Sequence, residues 1–247
     1  MRQAALAAKA GNRLLGIVAG LLILVMLLYG AYSLWDTAMV YAGAFLDDDL
    51  LKYKPTGEGE DNPTLDELMK INPDVCGWIT IDDTHIDYPV VQGEDDMEYI
   101  NKDVYGEFSL SGSIFLDSRN SRDFTDSYSL VYGHHMSNGG MFGDIVEFVN
   151  KDYFEGHKTG TLYLPDCTYQ ITLFACVEAD ASDSLIYNPD AQDPSSLDSF
   201  LSYIEDKAVQ YRDIGVSSDD RIIGLSTCAE AVTNGRVVVY GRLETES

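Results

Sequence analysis

The hydrophobic pattern begins with one long apolar segment and continues with many short apolar runs. Residues 14–35 contain no charged side chain, whereas basic residues precede this segment and the first acidic residue, Asp36, follows it. At about 1.5 Å per residue, a helix of this length spans about 30 Å, the thickness of a bilayer's hydrocarbon core. We therefore predict a single-pass signal-anchor in the cell membrane over 14–35, a cytoplasmic tail over 1–13 and an extracytoplasmic main domain. A cleaved signal peptide, the alternative, usually has an apolar run of only about 7–15 residues.

The region after the apolar segment starts with a connecting stretch and a short helix. Residues 36–63 are predicted to be a linker or helical arm, and residues 64–247 the main domain. Thr64 and Glu67 have the spacing of a capping box, which predicts that a helix begins there. Asn72, followed by a proline, is predicted to end that helix.

Short apolar runs rich in β-branched residues recur through the main domain, separated by Gly, Asp and Asn. They predict eight strands, at 78–81, 86–91, 113–116, 127–132, 161–164, 169–177, 221–225 and 236–240. Eight short strands with few helices are typical of a closed or nearly closed β-barrel. The fold class is therefore mainly β.

Two segments have apolar residues at helical spacing between these strands. They are residues 141–153 and residues 195–211, and a polar loop over 180–194 precedes the second. A loop and helix inserted between two late strands could form the wall of a substrate site. Simple packing on the barrel surface explains the same pattern equally well.

Composition argues against a nucleic-acid-binding protein and against a disordered protein. The chain has 247 residues with 16 basic and 41 acidic side chains, for a net charge of −25. Nucleic-acid binding relies on clustered Lys and Arg, so nucleic acid is not an expected partner. With 45% hydrophobic residues, the chain can fill a core, which excludes a disordered protein.

The four cysteines are Cys76, Cys167, Cys176 and Cys228. They allow three disulfide pairings, and the sequence does not decide whether any pair forms. Cys176 lies in an apolar run and is predicted to be a small buried side chain. Because no CxxC spacing occurs, a zinc site has little support.

Cys228 follows a predicted strand and is the candidate nucleophile. Only a thiolate attacks, so Cys228 needs a cationic neighbour within this acidic domain. Arg236 begins the next predicted strand, and a hairpin would bring it close. His134 and His135 follow another strand after Gly133, which we expect to permit a sharp turn, and imidazole is the usual acid–base partner of cysteine. Taken alone, each residue is more often structural than catalytic: a core thiol, a solvated arginine or a surface histidine.

Taken together and in order, these residues resemble the class B sortases. The motifs are YGHHM at 132–136, GGMF at 139–142, LSTC at 225–228 and RVVV from residue 236. The resemblance implies an eight-stranded sortase-type barrel with N-terminal helices. It also implies Cys228 as nucleophile, His134 as general acid–base and Arg236 as the oxyanion-stabilising residue. Supporting positions are Ser226, Thr227, Glu230 and His135.

Sortases are cysteine transpeptidases of Gram-positive bacteria, so the resemblance also implies an activity. The enzyme would cleave a C-terminal sorting motif after its Thr and transfer the surface protein to a peptidoglycan-precursor amine. No metal or organic cofactor is implied.

Three alternatives remain open: a pilin-polymerising sortase with a lysine acceptor, a thiol hydrolase using the same residues, and a non-catalytic wall-binding module. The sequence specifies neither the sorting motif nor the acceptor.

Overall fold

The computed structural model describes residues 2–42, 45, 48–56, 62–193, 195–228 and 235–245. It divides into two compact units, Met1–Ala42 and Gly43–Ser247. The first unit consists of helix α1 (Arg2–Ala42), whose apolar side chains are exposed. Its stretch Lys9–Met39 is long and apolar enough to cross a membrane, judged by length and composition. The helix runs past the predicted boundary at residue 35, because no Gly or Pro interrupts residues 36–42.

The second unit is built mainly of strands. Its helices are α2 (Asp48–Leu51), α3 (Pro63–Ile71), α4 (Lys151–Gly156) and α5 (Leu197–Lys207), with 3-10 helices at Glu98–Asn101, Gly143–Val149 and Pro189–Ala191. The strands are β1 (Val75–Ile81), β2 (Asp87–Val91), β3 (Ile114–Leu116), β4 (Tyr128–Gly133), β5 (Thr159–Tyr163), β6 (Thr168–Asp180), β7 (Ala208–Tyr211), β8 (Arg221–Cys228) and β9 (Gly235–Thr245).

Eight of these strands close into a ring. The order is β5-β1-β2-β3-β4-β8-β9-β6, and β6 pairs back onto β5. The first part of β6 pairs with β5, and its later part pairs with β7 on the same side. The predicted mainly β, eight-stranded barrel with a helix inserted between late strands is therefore confirmed, and β7 is an additional strand outside the ring.

Among the described residues, one core cluster lies under α3 and another under α5. Helix α3 buries Leu65 and Leu68 against the β1–β2 side, together with Trp78. Helix α5 buries Leu197, Phe200 and Ile204 on the opposite side of the barrel, against aromatic residues of β4, β6 and β9. Both helices thus dock by a narrow apolar face, as amphipathic surface helices do.

Three local predictions were wrong. The capping box does not form, because Thr64 Oγ1 donates to the Lys54 carbonyl and the N-cap residue is Asn62. Asn62 instead donates to the Leu164 carbonyl at 2.7 Å, which fastens α3 to the β5–β6 turn.

The second wrong prediction is the helix over 141–153. This segment is a 3-10 helix up to Val149 and then continues as α4. The side chain of Asn150 caps α4 by accepting a hydrogen bond from the backbone N–H of Asp152.

The third error concerns the end of the helix predicted over 195–211. Helix α5 ends at Lys207, and Ala208–Tyr211 form β7 against β6. In this segment Val209 and Tyr211 are exposed while Ala208 and Gln210 are half-buried, which is a period of two. The sequence pattern placed Ala208 on the apolar face of the predicted helix. It did so because β7 begins directly after the last residue of α5, so the spacing along the chain is uninterrupted.

Candidate active site

The three predicted catalytic residues meet at one end of three neighbouring strands. Strands β4 and β8 are parallel, and Gly133 of β4 lies opposite Thr227 of β8. His134 and Cys228 directly follow these two paired residues. Strands β8 and β9 are antiparallel, and their register puts Cys228 directly opposite Arg236. Neighbouring strands lie about 4.8 Å apart, so the backbone alone brings these positions within side-chain reach of one another.

Gly133 is required at the end of β4, but not for the predicted reason. It is not among the glycines with positive φ, so no special turn is made there. A Cβ at this position would lie 2.5 Å from Cδ1 of Ile114 and 2.7 Å from Cγ of Phe142. The absent side chain therefore permits close packing under the strand end that carries His134.

A cavity of about 390 Å³ opens beside these strand ends. It is bounded by the strand-end residues on one side and by the segment around Tyr187 on the other, with Ile100 and Met97 between them. Its lining residues from the predicted site are His134, Ser226, Thr227 and Arg236. The cavity is large enough to receive several side chains of an extended peptide.

His134 is oriented by a backbone carbonyl. Its Nε2 lies 2.8 Å from the carbonyl oxygen of Ile100, in the 3-10 helix Glu98–Asn101. A carbonyl oxygen only accepts, so Nε2 carries a proton and Nδ1 is left as the proton-exchanging nitrogen. His135, in contrast, is bridged to Met141 and does not line the cavity. The geometry thus distinguishes the two adjacent histidines.

Arg236 contributes the positive charge of the site. Its guanidinium lines the cavity, and Nη1 donates to the carbonyl of Gly235 at 3.0 Å. Hydrogen bonds from Ser182, and to a smaller extent the charge of Arg236, hold the pKa of Asp180 below its usual range. Arginine stays protonated at any physiological pH, so this charge is permanent.

The two residues before Cys228 are both buried. Ser226 Oγ lies 3.1 Å from the hydroxyl of Tyr187. Thr227 Oγ1 has no hydrogen-bond partner among the residues that the structure describes, although it is almost fully buried. Thr227 nevertheless lines the cavity through its other atoms. Glu230 lies outside the described residues.

Sequence reasoning missed a group of residues that complete the site. Tyr187 stacks on Tyr132, with ring centroids 6.4 Å apart and an angle of 14° between the rings. Arg119 lines the same cavity. Tyr132 directly precedes the glycine–histidine motif and could have been found there, but no local signal marks Arg119 or Tyr187.

The other thiols differ from a nucleophile in their surroundings. Cys76, Cys167 and Cys176 are free thiols in the structure. Burial raises the pKa of Cys76 and that of Cys176 to about 12, and Cys176 is fully buried as predicted. Among the described residues, no group of three or more His, Cys, Asp or Glu side chains is placed to hold a metal ion.

Comparison with known proteins decides the family. The model of the sortase domain matches residues 79–244. Sortase B of Listeria monocytogenes is 34% identical over 76% of this chain and 77% of its own length. The chain belongs to the class B sortases.

Solved structures of sortases agree in fold. A class B sortase of Streptococcus pyogenes involved in pilus biogenesis has a TM-score of 0.68 and 48% identity, covering 72% of this chain and 97% of its own. The substrate complex of Staphylococcus aureus sortase B has a TM-score of 0.71 and 31% identity, covering 77% of this chain and 88% of its own. As a member of this family, the chain is a cysteine transpeptidase.

Proposed function

We propose that this sortase cleaves a C-terminal sorting motif after its Thr and joins the resulting acyl group to an amine through a thioester on Cys228. The observation that supports this most is the strand register. Cys228 lies opposite Arg236 in the antiparallel pair β8–β9. His134 and Cys228 directly follow Gly133 and Thr227, which are paired in the parallel strands β4 and β8.

The first half-reaction forms the thioester. The Cys228 thiolate attacks the carbonyl carbon of the Thr, and the guanidinium of Arg236 stabilises the oxyanion that develops. The C–N bond then breaks, and His134 gives its proton to the leaving amine. The cleaved C-terminal peptide leaves with a free amino group.

The second half-reaction transfers the acyl group. An acceptor amine attacks the thioester carbonyl, His134 takes the proton that the amine loses, and Cys228 leaves as the thiolate. In both steps Nε2 of His134 keeps its proton and donates it in a hydrogen bond to the Ile100 carbonyl, while Nδ1 exchanges the proton. The enzyme returns to its starting protonation state.

The acceptor has two candidates. A peptidoglycan-precursor amine would make the enzyme a wall-anchoring sortase, whereas a lysine side chain of a pilin would make it a polymerase of pili. The second candidate is supported by the 48% identity to the S. pyogenes enzyme, which is described as involved in pilus biogenesis. We place wall anchoring first because the motifs at 132–136 and 225–228 are of the class B type.

We further propose that α1 anchors the enzyme, with its N-terminus in the cytoplasm and the catalytic domain outside. The apolar stretch Lys9–Met39 supports the anchor, and the basic residues at its N-terminal end, Arg2, Lys9 and Arg13, support the orientation. The domain boundaries 1–13, 14–35, 36–63 and 64–247 belong to this proposal. Surface proteins bearing a sorting motif are then the substrates, presented on the outer face of the membrane.

The test uses the full chain in detergent, with a library of sorting-motif peptides, and follows intact-protein mass. Separate arms add a wall-type peptide amine, a pilin-type peptide with one lysine, or no amine. An acyl adduct that is absent in Cys228→Ala and that an amine releases as a ligated product would establish the transpeptidase and its acceptor. An adduct lost only to water would indicate a hydrolase. No adduct with any peptide would support the binding module.

A further inference from the structure

An ion pair between the buried carboxylate of Asp117 and the exposed guanidinium of Arg119 lies beside the active-site cavity and takes no part in the proposed chemistry. Asp117 follows β3 and is fully buried. Its two carboxylate oxygens accept from Arg119, Oδ1 from Nε at 2.8 Å and Oδ2 from Nη2 at 2.6 Å. Oδ2 also accepts from the hydroxyl of Tyr132 at 2.9 Å. This bidentate pairing fixes the plane of the guanidinium.

The outer edge of the same guanidinium reaches across the cavity. Nη2 donates to the carbonyl of Tyr187 at 3.0 Å, and Nη1 donates to Oδ1 of Asn188 at 3.1 Å. Both acceptors belong to the wall segment, which we define as residues 181–193 between β6 and α5. Arg119 thus joins the end of β3 to a loop that is almost seventy residues away in sequence.

These bonds leave Arg119 little capacity to bind a substrate. Four of its five N–H groups are engaged, two with Asp117 and two with the wall segment. The hydrogen bond to Asp117, opposed by partial burial, also raises the pKa of Arg119. The guanidinium therefore acts within the protein and holds one part of the chain against another.

The wall residue that Arg119 holds is itself connected to the active site. The hydroxyl of Tyr187 lies 3.1 Å from Oγ of Ser226, two residues before Cys228. The ring of Tyr187 stacks on Tyr132, two residues before His134. Tyr187 is therefore held at its carbonyl by Arg119 and at its hydroxyl by the strand that carries the nucleophile.

We propose that Arg119, with Asp117 as its buried anchor, is a positioning residue that fastens the wall segment over the groove for the sorting-motif peptide. The inference rests on the proposed function. Without the bridge, Tyr187 would leave its place for part of the time, and a peptide would have to bind the fraction of molecules in which the wall is closed. Apparent affinity then falls in proportion to that fraction.

Other contacts keep the wall segment folded when the bridge is lost. Ile186 packs in the core cluster with Leu197 and Ile204. Asp183, four residues before Tyr187, accepts a hydrogen bond from Tyr203 of α5. We therefore expect loosening to be confined to the part of the wall around Tyr187.

The first variant is Arg119→Lys in the full chain. A lysine keeps a positive charge beside buried Asp117, but its single ammonium does not span Asp117 and both wall acceptors. Arg122→Lys is the matched control, because Arg122 lies in the same loop and donates to the carbonyls of Pro73 and Val75, away from the groove. Asn188→Ala removes one wall acceptor and leaves the ion pair with Asp117 intact, so it serves if Arg119→Lys does not fold.

Two readouts are measured on each variant: peptide cleavage kinetics and amide hydrogen exchange of the wall segment. For Arg119→Lys we expect KM to rise about tenfold with kcat within about twofold. Exchange at Tyr187 should become about tenfold faster, whereas Ile186, which packs in the core, should change less. Asn188→Ala should raise KM about threefold, as loss of one hydrogen bond does. Arg122→Lys should match the wild type in both readouts.

Unchanged exchange in the wall segment of Arg119→Lys would overturn the proposal, as would a loss of kcat at constant KM or an equal effect of Arg122→Lys. The exchange arm does not depend on activity. If the wild-type enzyme cleaves no peptide, the proposed function fails, while faster exchange in Arg119→Lys alone would still establish the bridge.

Discussion

At the scale of single residues, hydrogen bonding separates two histidines that sequence order leaves side by side. His134 lines the cavity and is held through Nε2 by the carbonyl of Ile100, whereas His135 is bridged to Met141. A catalytic imidazole needs one nitrogen fixed and the other available for the proton. Of the two adjacent histidines, His134 has a ring nitrogen held by a carbonyl and lines the cavity, whereas His135 does not line it.

The kinetics of two alanine variants should reflect this difference. We expect His134→Ala to lower kcat/KM by about 10²–10⁴-fold, the usual contribution of general acid–base catalysis. His135→Ala should lower it by less than about tenfold, since this residue only packs nearby. Cleavage of an internally quenched sorting-motif peptide measures both. The reverse order would mean that the wrong histidine has been assigned.

Thiol reactivity provides a second test at this scale. Because the pKa of Cys76 and that of Cys176 are raised to about 12 by burial, both stay protonated at pH 7.5 and are shielded from reagents. Brief treatment of the native full chain with iodoacetamide should therefore modify Cys228 before Cys76 and Cys176, and Cys167→Ala removes the half-buried third thiol from the comparison. Peptide mass mapping identifies the site, with Cys228→Ala as the control. Equal modification of Cys76 and Cys228 would contradict the assignment.

The residues of the site could be predicted only where they lie in short motifs. Cys228, His134 and Arg236 each follow or begin an apolar run, so a strand-end position could be assigned from local pattern. The bridge from Arg119 to Tyr187 could not, because it joins the end of β3 to a loop that approaches only after the barrel has closed. Its residues resemble ordinary polar turn residues when read along the chain.

At the scale of elements, the pattern predicted the strands better than the helices. All eight ring strands were found, because apolar runs between turn residues have few competing explanations. The helix predicted over 195–211 was four residues too long because Ala208 is compatible with both a helix face and a strand. The capping box failed because Thr64 bonds to the Lys54 carbonyl instead. Tertiary contacts overrode local signals in each case.

The packing of α5 gives a prediction of stability at this scale. Phe200 is 2% exposed, and its ring centroid lies 4.8 Å from that of Tyr128 and 6.2 Å from that of Tyr240. Phe200→Ala would leave a cavity and should lower the free energy of unfolding by about 3–5 kcal/mol. Ser199→Ala, at an exposed position of the same helix, should change it by less than about 0.5 kcal/mol. Urea denaturation followed by tryptophan fluorescence measures both.

An effect of Phe200→Ala no larger than that of Ser199→Ala would mean that α5 does not dock on the barrel in this way. A loss of peptide cleavage beyond the loss of folded protein would show in addition that α5 supports the wall segment. Measuring cleavage at a temperature well below the unfolding transition separates these effects.

At the scale of the whole molecule, ring closure determines the active site. Strands β4 and β8 are parallel neighbours although nearly ninety residues separate them in the chain, and this pairing sets His134 beside Cys228. The number of ring strands and the fold class could be read from the sequence, since they follow from local runs. The pairing order could not, because it depends on contacts between distant segments. The order of β4, β8 and β9 is what turns three ordinary strand ends into one site.

The titration of buried groups predicts how stability depends on pH for the molecule as a whole. Burial raises the pKa of Cys76 and Cys176 from 9.0 to about 12, and that of Tyr128 and Tyr240 well above 10.0. Above pH 9 the unfolded chain therefore binds fewer protons than the folded chain, and the free energy of unfolding falls as pH rises. Each group contributes about 1.4 kcal/mol per pH unit within its window, in addition to repulsion within an already acidic protein.

We therefore expect the melting temperature of the full chain in detergent to be nearly constant from pH 7 to pH 8.5 and to fall steeply between pH 9 and pH 11. The fluorescence of Trp78, which is fully buried, reports the transition. Cys176→Ala should make the decline shallower because one buried titrating group is lost, whereas Ser199→Ala should leave the slope unchanged. A melting temperature that stays constant to pH 11 would show that these side chains are accessible to solvent, and that the barrel is more open than its ring of paired strands implies.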